Sequence, residues 1–322
     1  MAKKKHAHLI KPLVVQNPPA GLYAEPRFWM EGKDMEGFNA SFSYGFIKKT
    51  GSIHPLKGAL VHPYDECLVF AGIDNTDITY LGAEISVELG EEREEHTFNA
   101  PSAITVPKGM PHGPVTIKKL DKPIVHYHIG LAADYKAEAL PEKAKTQGSK
   151  YGHLVKPLGA GFEPVRMSKI AKDEKLLAEF KKEHPDFQMD MSQVGLLGPG
   201  NADNLVWLYG NDLEGFDVNF TWGFYTGSGI WHRGGEAHYH PEEEILVFVG
   251  LDPDDLDFLG CEQELAMGEE YERHVFNKPT VAVCPSGFYH LPLITRWTDK
   301  PYGFIVCCLS GEHDSPWVDE EE

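Results

Sequence analysis

The sequence predicts an all-β protein built from two tandem barrels. Three observations carry that expectation: a gapless internal repeat, aromatic residues alternating along short segments, and apolar runs bounded by turn residues. The repeat comes first, because a missed repeat misassigns the whole fold. His62 and His240 lie 178 positions apart (240 − 62), as do His112 and His290 (290 − 112). The same offset superimposes Glu36-Gly37-Phe38 on Glu214-Gly215-Phe216 and Lys122-Pro123 on Lys300-Pro301. A shorter match, HLIKP at 8–12 with HLVKP at 153–157, has the offset 145 (153 − 8), so copy 2 carries an insertion before Leu213.

Within each copy, Phe42, Tyr44 and Phe46 alternate, and so do Phe220, Trp222 and Phe224. Alternation of this kind is the period-two signature of a strand. EILVFVG (244–250) and TVAVCP (280–285) are short apolar runs with turn residues around them. Many short strands separated by Gly and Pro suggest a sandwich or barrel in each copy. Trp222 and Phe224 are expected in the barrel wall. The boundaries expected are barrel 1 over 1–130, an Ala/Lys/Glu-rich linker over 131–150, and barrel 2 over 151–322. The insertion contains SKIAKDEKLLAEFKKEH (168–184), where Ile170, Leu176, Leu177 and Phe180 recur at helical spacing.

Composition narrows the function. The chain has 322 residues and a formal net charge of −19, which disfavours nucleic acid and anionic membranes as partners. No run of 18 apolar residues exists, so no membrane-spanning helix is expected. Lys3-Lys4-Lys5 is not followed by an apolar core, which argues against a signal peptide. Five cysteines without framework spacing fit reduced, buried thiols and a cytoplasmic location. Neither a nucleotide-binding glycine loop, a nucleophile elbow nor a CxxC pair occurs.

Chemistry concentrates in copy 2. His238 and His240 are two apart on an expected strand, so both imidazoles face one way. Glu244 follows a turn, and His290 closes PSGFYH (285–290), where Pro285 and Gly287 re-aim the chain. Three imidazoles and a carboxylate suit a divalent first-row metal and leave coordination positions open for a small-molecule substrate. Copy 1 keeps His62, Glu66 and His112, but Leu60 stands where copy 2 has His238. Its remaining set is either a second metal site of different coordination or a site lost to packing, with the metal-free, packed barrel favoured.

HxHxxxE followed by Gly250, then PxGxxH, resembles the two metal motifs of the cupin superfamily, and the duplication is similar to the bicupins. The resemblance spans both copies. It implies double-stranded β-helix (jelly-roll) barrels and one divalent metal, Fe(II), Mn(II), Ni(II) or Zn(II), in barrel 2, with a second metal in barrel 1 if His62, Glu66 and His112 hold one. It also implies frequent homo-oligomers. By analogy with other bicupins the leading expectation is a dioxygenase. The alternatives are a non-oxidative decarboxylase, isomerase or lyase, and a non-catalytic binding protein. The long gap between the motifs suggests extra strands or a hairpin over 251–279.

Around the ligands, Arg296 shares the parity of His290 on an unbroken strand and could clamp a carboxylate, and Glu243 or its neighbour Glu242 could move a proton. Tyr239 is expected to turn away from the metal. His126 and His128 are expected as an outward, solvated pair. The matched pairs His54/His232 and His96/His274 are expected to hydrogen-bond loops that both barrels need.

Overall fold

In the computed structural model, the described residues are 4–19, 22–158, 204–230 and 237–313, together with Ala178 and Lys182. The expected helix at 168–184 lies outside them apart from those two residues. Every ladder between strands is antiparallel. Each barrel closes a large sheet against a smaller one. In barrel 1 the large sheet runs, in spatial order, Val155–Pro157, Ser102–Val106, Glu66–Ala71, Ile124–Gly130, Ser41–Ile47, Arg27–Met30 and Val15–Gln16. Facing it are Glu138–Ala139, Leu60–Val61, His112–Leu120, Ala83–Leu89 and Glu94–Phe98. Barrel 2 repeats the plan, and its Cys261–Met267 and Glu272–Phe276 form the hairpin expected over 251–279. Among the described residues no helix is long and apolar enough to cross a membrane. All five cysteines are buried and free.

The central strands of the large sheets are buried on both faces, as Ile124–Gly130 and Glu244–Gly250 are along their whole lengths. One face lines the barrel interior and the other meets the neighbouring barrel. Tyr127 lies 6.0 Å from Trp222 and 5.9 Å from Phe220 across that contact. Tyr44 donates its hydroxyl to the Gly250 carbonyl at 2.9 Å. The alternating aromatics therefore join the barrels, and Trp222 packs between them rather than lining a pocket.

The barrels also trade strands. Ile10–Pro12 pairs with Thr280–Cys284 of barrel 2, and Val155–Pro157 pairs with Ser102–Val106 of barrel 1. The registers match across the repeat: Ile10 faces Ala282 and Val155 faces Ile104, again 178 apart. Lys11 pairs with Glu36 as Lys156 pairs with Glu214. Leu9 and Leu154, each nearly fully buried, anchor the two crossings. The exchange crosses the boundaries expected from the sequence. The segment 131–150 is likewise tied to barrel 1, through Glu138–Ala139 and a bridge from Thr146 to Glu94.

Candidate metal centres

Two turns bring each pair of motifs together. Gly287, at φ +71°, donates its N–H to the His240 carbonyl at 2.7 Å, and Gly109, at φ +78°, does the same to His62 at 2.9 Å. Glycine adopts this left-handed backbone without steric cost. In barrel 2, His238 and His290 then exchange backbone hydrogen bonds of 3.0 Å in both directions. Their Nε2 atoms lie 2.9 Å apart with rings nearly perpendicular. Glu244 reaches the same point from its own strand, Oε1 3.4 Å from His240 Nε2 and Oε2 3.1 Å from His290 Nε2. All four side chains are buried. Ligand atoms of His238, His240 and His290 lie within 4.8 Å of one another.

Burial alone would raise the Glu244 pKa. The imidazoles of His240 and His290 outweigh it and hold the carboxyl well below its usual range. An ionised, buried carboxylate ringed by imidazole nitrogens is a donor set made for a cation. His290 Nδ1 donates to the Phe288 carbonyl at 3.1 Å, which leaves Nε2 as the ligating atom. The donor chemistry fits a divalent transition metal.

Barrel 1 assembles its reduced set in the same place. Glu66 Oε1 lies 2.9 Å from His112 Nε2 and 3.6 Å from His62 Nε2. His62 Nε2 is buried without a hydrogen-bond partner, and His62 Nδ1 is anchored on the Lys136 carbonyl at 2.8 Å. Leu60 faces His112 as His238 faces His290. It packs instead with Leu22, Tyr23 and Trp29.

His126 and His128 correct the expectation of an outward pair: both are fully buried and point into barrel 1. His128 Nε2 meets Glu66 Oε2 at 2.9 Å and its ring lies parallel to Trp29. His126 stacks on Phe70 at 4.3 Å, donates from Nδ1 to the Val69 carbonyl and accepts from the Tyr23 hydroxyl, both at 2.9 Å. Parity could not reveal them, because Tyr127 on the opposite face is buried just as completely.

Arg296 is placed away from the centre. A bulge in the pairing of His290–Thr298 with Cys261–Met267 breaks the strand's alternation. The guanidinium, about half exposed (47%), pairs with Glu262 and Glu264 on the surface. Glu243 is partly buried, and burial raises its pKa, yet it joins none of the ligand clusters. Its neighbour Glu242 does, with its carboxylate grouped with His240 and His313. Tyr239 turns outward and stacks on Tyr289, as expected.

Sequence reasoning missed His313, whose ring centroid lies 4.5 Å from that of His240, and Cys308, whose thiol sits 3.4 Å from Glu244 Oε1 and 3.2 Å from His313 Nδ1. The signal existed in the repeat: Tyr135, the counterpart of His313, packs on His62 in barrel 1. His96 pairs with Glu94 and His274 with Glu272 at equivalent positions, both at 2.8 Å, so each finds its partner on its own strand and not in the loop expected. His232 lies outside the described residues.

No family model matches the sequence, and no curated protein matches it either. Solved structures do. A deletion variant of the Bacillus subtilis oxalate decarboxylase superimposes with a TM-score of 0.56 at 8% identity, covering 95% of this chain and 77% of that one. The Lactobacillus farciminis oxalate decarboxylase in its formate complex gives a TM-score of 0.57 at 10% identity, covering 95% and 86%. The fold is that of a bicupin. Two barrels of this kind, each presenting buried His and Glu side chains to one point, provide ligand sets for a divalent transition metal.

Proposed function

We propose that this bicupin is a metal-dependent enzyme that acts non-oxidatively on a small organic acid, in the manner of a decarboxylase, with its working centre in barrel 2. The observation that carries the reading is the buried four-residue set of His238, His240, Glu244 and His290 around one point. Its likeness to oxalate decarboxylases, one of them holding formate, favours decarboxylation over the dioxygenase expectation, which rested on analogy with other bicupins. A bound divalent metal would act as a Lewis acid that orients and polarises the acid.

The residues around the ligands supply the rest. Glu242 and His313 lie beside His240, placed to take up and return a proton. The Cys308 thiol is hydrogen-bonded toward Glu244 Oε1, which steadies the carboxylate. Barrel 1, with its incomplete set, is the secondary centre in this reading.

The test is metal content by elemental analysis together with turnover of oxalate and other small acids, following CO2 release and O2 uptake separately. The reading expects metal and CO2 release without stoichiometric O2 consumption, both lost in His290→Ala. Stoichiometric O2 uptake restores the dioxygenase expectation. A protein that cannot be loaded with metal overturns both.

A further inference from the structure

Barrel 1 holds a buried charge that its metal-ligand set does not use. Arg27 is 5% exposed and points into the barrel from the strand Arg27–Met30. Gly45 makes room for it, since a Cβ there would meet Arg27 Cβ at 2.9 Å. Arg27 Nη2 donates to the His126 carbonyl, and the guanidinium lies 3.9 Å above the Tyr23 ring. Nε is buried with no hydrogen-bond partner. Among the described residues no carboxylate forms an ion pair with Arg27. Glu66, the acid of the barrel interior, is engaged by His112 and His128.

An arginine cannot shed its proton to escape burial. A buried charge without a counter-charge is therefore either very costly or a receptor for an anion. The neighbouring groups do not offer one. His126 donates from Nδ1 to Val69, and burial with the nearby Arg27 charge holds its pKa well below the usual value, so it is neutral with Nε2 on the Tyr23 hydroxyl. Burial likewise pushes the Tyr23 phenol up to about 12, so it stays protonated.

A cavity of about 50 Å³ lies against the guanidinium, bounded by Tyr23, Arg27, Gly45, Ser52, Ile53 and His126. Lys48, Lys49 and Glu25 complete its charged rim. Glu25 is paired with Lys49 and Lys48 with Asp254, so no rim carboxylate is left to reach inward. Barrel 2 has no such arrangement: Leu205 and Phe304 occupy the positions of Arg27 and His126.

We propose that barrel 1 binds a small carboxylate on the Arg27 guanidinium, in the cavity beside Tyr23 and His126 and apart from both metal-ligand sets. The planar fork of Nε and the Nη groups matches two carboxylate oxygens. The site needs no metal, and so goes beyond the function proposed above.

The test uses the full chain stripped of metal by a chelator. Sodium formate, acetate and oxalate are titrated calorimetrically at constant ionic strength, with phosphate and chloride as comparison anions. One carboxylate should bind per chain, roughly tenfold or more tighter than in Arg27→Met. Arg27→Met should also melt no lower than wild type in anion-free buffer, because it removes an unpaired charge. Arg27→Lys, which keeps the charge and loses the fork, should bind more weakly than wild type. Absence of binding by all three acids to the wild type overturns the proposal even if the variants do not fold. Equal binding of chloride or phosphate overturns the carboxylate assignment, and undiminished binding in Arg27→Met overturns the location. Because metal is absent throughout, failure of the enzyme reading leaves these outcomes unaffected.

Discussion

The two barrels share a backbone register and differ in what fills it. At the positions occupied by His238, Leu205, Phe304 and Val306 in barrel 2, barrel 1 has Leu60, Arg27, His126 and His128. Barrel 2 thus keeps the full four-residue set and has apolar residues where barrel 1 has Arg27, His126 and His128. Barrel 1 gives up one ligand and gains Arg27, His126 and His128, with Arg27 Nε and His128 Nδ1 buried without hydrogen-bond partners. A duplicated scaffold lets the two interiors diverge because the shared aromatic contact between the barrels, and not either pocket, holds them together. The lesson is that loss of a metal ligand need not mean decay. Polarity moved from the metal point to its surroundings.

The sharpest break of this comparison is an exchange at one position. His238→Leu should reduce barrel 2 to the ligand set of barrel 1 and lower turnover by about a hundredfold or more. Leu60→His should place an imidazole opposite His112 and strengthen metal binding in barrel 1 by at least roughly tenfold. Elemental analysis across a chelator series reads both. If His238→Leu keeps full metal and activity, the ranking of the two centres is wrong.

Next in size are the strand crossings. Leu9→Ala, just before the strand given to barrel 2, and Leu154→Ala, just before the strand given to barrel 1, should each cost about 2–5 kcal/mol in denaturant unfolding. Equivalent losses would show that both barrels depend equally on the exchange. A negligible loss at either position would show that its crossing is dispensable.

Acid should weaken barrel 1 through its buried histidines. Burial pushes the His54 pKa down to about 4 from a usual value near 6.5. Between those values the unfolded chain binds a proton that the folded chain refuses, so stability is full above about pH 6.5 and falls as the pH drops toward 4. The shift corresponds to about 3 kcal/mol. His126 acts with the same sign, and barrel 2 has Phe304 in its place. Glu66 and Glu244, both held low, add a further loss only as the pH falls below about 4.5. Unfolding midpoints across pH 4–7 should therefore flatten in His54→Leu. An unchanged slope would place the acid sensitivity elsewhere.

The smallest effect tests a corrected expectation. Arg296→Ala removes a half-exposed surface pair and should change stability by at most about 0.5 kcal/mol and turnover hardly at all. A large loss of turnover would return Arg296 to the site.

The sequence made the repeat, the barrels and seven ligand-type residues legible, because motif spacing and gapless self-similarity survive without any three-dimensional knowledge. His238, His240 and His290 lie together, with Glu244 against His240 and His290, and His62, Glu66 and His112 lie together in barrel 1. Arg296 misled because parity holds only along an unbroken strand, and the bulge after His290 breaks it. His126 and His128 were hidden because alternation separates inside from outside only where one face of a sheet meets water. On Ile124–Gly130 neither face does. Cys308 and His313 lie beyond both motifs: Cys308 is set opposite Glu244 by strand pairing and His313 follows five residues on, and motif spacing does not encode that pairing.

The traded strands have an ancestral implication. Ile10–Pro12 and Val155–Pro157 occupy equivalent registers on opposite barrels, so the exchange obeys an approximate two-fold symmetry. A single repeat unit following the same rule would lack that edge strand unless a second copy supplied it. The present chain thus has the arrangement of two strand-swapped copies joined in one polypeptide. Joined copies can differ where identical subunits cannot, and here one carries Leu60 where the other carries His238.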